Sequence, residues 1–301
     1  MLNKQVICVM VSFNPDIDGL LKSVESVLAN NVQLILVDNG SANQNEIVKL
    51  VNNSENVVFC PLQENKGIAA AQNRGIEVAL NDSVEFIWLS DQDTLYPIDF
   101  LDIMLHAFKS MSEEEQYKVA ALAPSFYDHT LSLVQPVFRF SPYTKRSIPH
   151  KGLNESTHVI ASGMLIPKVV FSRVGFKRED FFIDWVDTEW CWRSIYQYKL
   201  KIWVVGDVQI DHVLGDEFGV FLTKKFTLRT PFRHYFMVRN AVAIILFFKK
   251  LPLIPRLEIL FKTMVRVLLF PIIAPCNKRE HFIALWTGVF HGLFNKLGPK
   301  K

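Results

Sequence analysis

The first hundred residues alternate between unbroken apolar runs of strand length and stretches with helical spacing, a pattern that few folds can satisfy. The runs are VICVMVSF (6–13), QLILVDNG (33–40), NVVFCPL (56–62) and EFIWLSDQD (85–93). Between them, residues 17–30 put Leu20, Leu21, Val24, Val27 and Leu28 on one helical face; NEIVKLVN and residues 68–80 supply two further helical segments. Strands that lack polar alternation are buried on both faces, as in a parallel sheet covered by helices. The expectation is an α/β fold, Rossmann-like, with a mostly parallel central sheet. Ligands on such sheets bind beyond the carboxyl ends of the strands. Polar residues collect at those ends: Ser12 and Asn14, then Asp38 and Asn39, then Asn65, then Asp91 and Asp93.

Composition narrows the class further. Half of the 301 residues are hydrophobic, which excludes a disordered or low-complexity chain. Cys8, Cys60, Cys191 and Cys276 are widely spaced, which excludes a zinc ribbon and a disulfide scaffold and fits free thiols in a reducing compartment. The apolar run at residues 6–13 is too short for a signal peptide, so the expected location is intracellular.

The net charge of +3 hides a division near residue 217. Before it, 28 acidic residues face 18 Lys and Arg; residues 218–301 hold 15 Lys and Arg against Glu258 and Glu280 alone. Such asymmetry points to an anionic partner. The tail's basic residues sit among Phe, Leu, Ile and Trp and no base-stacking signature is present, so nucleic acid is not the expected partner. Charges interrupt each apolar run before it could span a bilayer. The expectation is a basic amphipathic helical region lying on an anionic membrane surface, with packing on the core as the alternative. Residues 1–217 then form one domain, its first hundred residues a ligand-binding half and residues 101–217 a looser half. Within the latter, Ser125–Thr157 reads as loops and irregular strands.

Four clusters carry chemistry. Asp91 and Asp93 form a D-x-D pair at a strand end, where mutual repulsion calls for a hard divalent cation. Asn65 and Gly67 precede a helix start able to offer N–H groups to an anion, with Arg74 two turns further on. In DWVDTEWCWR, helical geometry would bring Asp184, Asp187 or Thr188, and Cys191 onto one face. His212 follows the strand-like run KIWVVGDVQI.

Taken in order, VMVSFNP, ILVDNGS, ENKGIAAAQNRG, WLSDQD, ASGMLIP and VDTEWCWR resemble the motifs of family-2 glycosyltransferases with the GT-A fold, over roughly residues 5–215. The last resembles the family's E-D-x-D-L-C-x-R pattern. Asp187 and Arg193 are kept; Val186 replaces the Glu, Glu189 the second Asp and Trp190 the Leu. FIDWVDTEW and RHYFMVRN are most similar to the rhamnosyltransferase subgroup of bacterial O-antigen and capsule assembly. The resemblance implies an inverting transferase that moves L-rhamnose from dTDP-β-L-rhamnose to a lipid-linked saccharide, located peripherally on the cytoplasmic face of the cell membrane. Galactofuranose or hexose donors, and a non-catalytic assembly scaffold, are the alternatives. A nucleotidyltransferase would need a basic nucleotide loop, and VSFNPDIDG has no Lys or Arg.

The resemblance also implies roles. Ser12 and Asn14 border the nucleotide, and Asp38 holds the base or ribose. Asn65, Gly67 and Arg74 shape the pocket around base and diphosphate. Asp91 contacts ribose or metal, and Asp93 ligates Mg²⁺ or Mn²⁺ with His212 as a further ligand. Asp187 is the expected base, with Asp184 and Glu189 as runners-up. Asp184, Trp185, Glu189, Arg233, Arg239 and Asn240 are candidate contacts to acceptor or diphosphate.

Overall fold

The computed structural model describes residues 2–52, 54–81, 83–128, 133–140, 143–211, 218–221, 224–227 and 229–300. The alternating half forms as its pattern requires: β1 (Val6–Ser12), α1 (Ile17–Leu28), β2 (Gln33–Asp38), α2 (Gln44–Val51), β3 (Val57–Pro61), α3 (Ile68–Ala79) and β4 (Phe86–Asp91). Next come α4 (Phe100–Lys109), α5 (Glu113–Tyr117), β5 (Val119–Asp128), β6 (Leu133–Val134), β7 (Val137–Phe140), β8 (Thr144–Ser147), β9 (Leu153–Ser156), β10 (Met164–Pro167), α6 (Val169–Val174), α7 (Val186–Trp192) and β11 (Lys201–Asp211). The short strands β12 (Phe218–Phe221) and β13 (Lys224–Thr227) pair with each other, and three helices close the chain: α8 (Pro231–Phe247), α9 (Leu253–Ile273) and α10 (Lys278–Leu293).

The main sheet runs β3-β2-β1-β4-β10-β5-β11-β9, with β6 on β5. β3, β2, β1 and β4 are parallel; β10 lies antiparallel between β4 and β5 and joins that half to the parallel β5–β11 pair. The strand period of two explains the unbroken apolar runs. Ile7, Val9 and Val11 of β1 enter one core, shared with Ala71, Ile76 and Ala79 of α3. Val6, Cys8 and Met10 enter the other, shared with Leu20 and Val24 of α1 and Phe100 and Met104 of α4. Gly75 allows α3 to lie this close, since a Cβ there would meet the Val9 side chain at 2.3 Å.

The stretch read as irregular holds β6, the β7–β8 hairpin and β9, which pairs antiparallel with β11 at the sheet edge. The basic tail is less solvated than its charge suggests. Helix α8 is buried along most of its length and shares a core with Ala69, Phe181, Val186 and Trp192 of the sheet domain. Helix α10 crosses α8 at Gly288 and Gly292, where a Cβ would meet the Tyr235 and Arg239 carbonyl oxygens at 2.7 Å each. Among the described residues, no helix is long and apolar enough to cross a membrane.

Candidate active site

A cleft of about 730 Å³ opens beyond the carboxyl ends of β1 and β4. Asp91, the last residue of β4, pairs in register with Val11 of β1, and Gln92 is tied across by accepting the Phe13 N–H at 2.7 Å. Ser162, just before β10, donates its hydroxyl to Asp91 and so orients one carboxylate oxygen. Asp93 is exposed in the same cleft and makes no hydrogen bond or ion pair among the described residues. Its oxygens remain open to a ligand. Two carboxylates of this kind are a hard-oxygen donor set suited to Mg²⁺ or Mn²⁺. No group of three or more His, Cys, Asp or Glu able to hold a metal occurs among the described residues. The pair would therefore need further oxygen or nitrogen donors. His212 lies outside the described residues; its neighbour Asp211 bridges Leu95, two residues beyond Asp93.

The wall facing this pair is built on an unusual backbone. Phe182, Asp184 and Trp185 have φ of 64°, 60° and 66°, left-handed values that bulky side chains rarely adopt. Helix α7 thus starts only at Val186, and Asp184 stands outside it, contrary to the single helical face expected from the sequence. Cys191 leaves that face too: it is fully buried in the sheet core, where burial pushes its thiol up to about 12.

Asp187, in the first turn of α7, is held at both oxygens. One accepts from the ammonium of Lys177, whose side chain is completely buried; the other accepts the Ala161 N–H at 3.1 Å. Lys177 is fixed in turn by Asn73, which bonds both its backbone N–H (3.0 Å) and its carbonyl (2.9 Å). The Asp187 side chain still keeps 26% exposure at the cleft. Lys177 was not legible as a site residue, because its ten-residue offset from Asp187 crosses two turns and follows no periodicity.

Several expected site residues have other duties. Asp38 is fully buried and accepts from Ser12 Oγ (3.2 Å), Ser41 N (3.0 Å), Gln44 Nε2 (2.8 Å) and the Ser41 hydroxyl. Asn14 accepts the Ala42 N–H and donates its own N–H to Ser41 Oγ, both at 2.8 Å. Ser12, Asn14 and Asp38 therefore order the loop after β2, and it is Val11, Phe13 and Asn39 that face the cleft. Asn39 bonds Asn65, whose Oδ1 takes the Gly67 N–H, while Ile68 N donates to Phe182 O at 2.8 Å. The N–H groups of Gly67 and Ile68 are thus already engaged and are not offered to an anion. Gly67, at φ 89°, lies where a Cβ would sit 2.6 Å from the Phe182 carbonyl oxygen.

Arg74 is exposed, pairs with Glu77 and does not line the cleft. Glu189 is buried in a bidentate pair with Arg193 at 2.9 and 3.2 Å, so it braces α7 and lines neither cleft. Arg239 and Asn240 are fully buried. Arg239 donates to the carbonyls of Asp180 and Phe181, and Asn240 to those of Phe181, Ile183 and Asp184. They clamp the left-handed segment from behind and touch no ligand space.

Asp184, Trp185 and Arg233 do line the cleft, with Arg233 donating to Asp184 at 2.9 Å. Trp185 is anchored through Nε1 to Met237 O at 2.9 Å. A second cleft of about 400 Å³ meets the first at Asp184, Trp185 and Thr188, and is walled by Arg146, His158, Trp192, Glu258 and Lys262.

Fold and site define a class: a GT-A sheet whose crevice carries a carboxylate pair on one wall and a separately oriented carboxylate on the other. The chain belongs to glycosyltransferase family 2, whose family model, Glycosyl transferase family 2, matches residues 7–181, and it is a glycosyltransferase. The dTDP-rhamnosyl transferase RfbF of Shigella flexneri is 30% identical over 252 residues, covering 80% of this chain and 79% of that protein. Among solved structures, S. aureus TarS 1-349 is similar at a TM-score of 0.57 and 13% identity, covering 97% of this chain and 82% of that one. GalNAc-T7 with UDP, GalNAc and Mn²⁺ is similar at 0.55 and 14%, covering 90% of this chain, which spans 57% of that protein. These two likenesses are of fold.

Proposed function

We propose that the chain is an inverting, metal-dependent rhamnosyltransferase that moves L-rhamnose from dTDP-β-L-rhamnose to a lipid-linked O-antigen or related surface-glycan intermediate, working on the inner face of the cell membrane. The observation that carries the chemistry is the single cleft that holds Asp91 and Asp93 on one wall and Asp187 on the other. The donor is supported by the similarity to RfbF over most of both chains.

Asp91 and Asp93 would hold a divalent cation, Mg²⁺ or Mn²⁺, which when bound stabilises the charge that grows on the departing diphosphate. His212 is the candidate further ligand, by its place next to Asp211 in the chain. The loop ordered by Asp38 presents Asn39 and Phe13 to the nucleotide. The acceptor enters from the second cleft, where Trp185 and Thr188 are shared with the donor space. Asp187 takes the proton of its attacking hydroxyl, oriented for this by Lys177 and the Ala161 N–H. One displacement from the side opposite the diphosphate inverts the anomeric carbon.

The test is a panel of nucleotide-sugars with a lipid-linked acceptor fraction, read by mass spectrometry with and without chelator. Rhamnose transfer with release of dTDP is expected, lost in chelator and in Asp93→Ala with the fold intact. Use of UDP- or GDP-sugars alone would replace the donor, and full turnover in chelator would remove the metal.

A further inference from the structure

Helix α9 is apolar on two opposite sides. Its inner row, Pro255, Ile259, Val267 and Phe270, packs within the chain. Its outer row, Leu253, Leu257, Phe261, Met264, Leu268 and Ile272, is 51–68% exposed. The spacing of four, four, three, four and four makes this row continuous along roughly 30 Å of helix. The helix's charged side chains lie elsewhere. Arg256 donates to the Phe248 and Leu251 carbonyls at 3.0 and 3.1 Å, and Glu258 bonds the N–H of Thr144 at 2.9 Å and its hydroxyl. Lys262 lines the second cleft, and Arg266 is half-buried near His234. On α10, packed against α9 through Phe270 and His281, a second row of Phe282, Trp286, Phe290 and Leu293 is 45–52% exposed. An exposed apolar row of this length marks a surface that meets a partner or lipid.

The charges at the ends of these rows select the occupant. Lys249 and Lys250 stand exposed in the turn before α9, Lys278 and Arg279 open α10, and Lys296 and Lys300 follow it. The tail's acids are Glu258, turned toward Thr144, and Glu280. A second copy would set like charges against one another. An anionic lipid surface complements them, and the helices cannot cross it.

We propose that the outer rows of α9 and α10 enter the acyl region of an anionic bilayer surface while the lysines and arginine at their ends meet the headgroups. This deepens the membrane location proposed above and rests on that reading only for the choice of leaflet. It also sets the second cleft, walled by Glu258 and Lys262 on the far side of α9, beside the headgroups.

The experiment uses the full chain with vesicles of phosphatidylcholine, alone or with phosphatidylglycerol. Expected are sedimentation with the anionic vesicles, weaker in high salt, and quenching of Trp286 by acyl-brominated lipid that disappears in Trp286→Phe. The Phe261→Ser/Leu268→Ser variant, changed at exposed positions, should keep its melting temperature and donor binding yet partition at least tenfold less. No binding to anionic vesicles, unchanged partition of that variant, or a dimer in solution that the variant dissociates would each overturn the proposal. Partition is measured without donor or acceptor, so failure of the transferase reading would leave this result standing.

Discussion

Asp187 and Glu189 lie two residues apart on α7 and their surroundings separate their roles. Asp187 keeps a solvent-facing edge and two fixed donors, whereas Glu189 is closed off by Arg193. On the proposed mechanism Asp187→Asn should lower kcat by roughly 10²-fold with donor binding little changed, because it removes the proton acceptor. It should also cost stability, because the buried Lys177 ammonium loses its carboxylate. Glu189→Gln should instead cost about 3 kcal/mol of stability through the broken buried pair, with kcat of the folded enzyme near wild type. Turnover and denaturant midpoints on both variants decide the assignment, and a larger kcat loss in Glu189→Gln would reverse it. Lys177→Met supplies the complementary test: the carboxylate stays but loses its orientation, so kcat should fall at least tenfold while the donor KM holds. The acids of this site were legible in the sequence because carboxylates at strand ends and in a family pattern stand out. Lys177 was not, since a lysine is ordinarily solvated and only the fold shows this one at 0% side-chain exposure.

The elements were legible to different depths for physical reasons. β1, β2, β3 and β4 follow from hydrophobicity alone, each within two residues of its apolar run; both faces of β1, β2 and β4 are buried, while β3, at the sheet edge, is only partly covered. The start of α7 was not readable. Phe and Trp have no local preference for positive φ, and what holds the segment there is Asn240, more than fifty residues later. Its side-chain amide spans three carbonyls, so Asn240→Leu should strand acceptors that lie against a buried face. The expected cost is about 2 kcal/mol, from the desolvation of unsatisfied groups. Since the same segment carries the cleft wall ahead of Asp187, kcat should drop as well, and more than KM rises. Full activity in a destabilised Asn240→Leu enzyme would show that the segment's strain is unrelated to turnover.

At the scale of the whole molecule, the charge division read from the sequence marks a boundary in composition, while packing runs across it. Ala241, Ile244 and Ile245 of α8 share a core with Phe181 and Val186 beside the site, so loosening the three-helix tail should loosen the cleft wall. The tail carries its own weak point. His234 on α8 and His281 on α10 are buried and meet Nδ1 to Nδ1 at 3.0 Å, with the Phe270 ring of α9 against both. Burial, then His281 and the nearby Arg266, Arg229 and Arg233, push His234 down to about 3, and burial lowers His281. Folded His234 is therefore neutral where the unfolded chain, near its ordinary value of about 6.5, takes up a proton. Between pH 6.5 and 3 the unfolded state binds more protons, so stability is complete above this window and falls as the solution is acidified through it. For His234 alone the loss at pH 5 is roughly 2 kcal/mol by linkage. Denaturant midpoints at pH 7.5 and pH 5 should show the decline in the wild type. His234→Gln, less stable at pH 7.5, should lose distinctly less on acidification. Parallel pH slopes for the two proteins would place the acid sensitivity elsewhere, whereas a flattened slope accompanied by retained acid-range activity would tie the tail's packing directly to the integrity of the cleft.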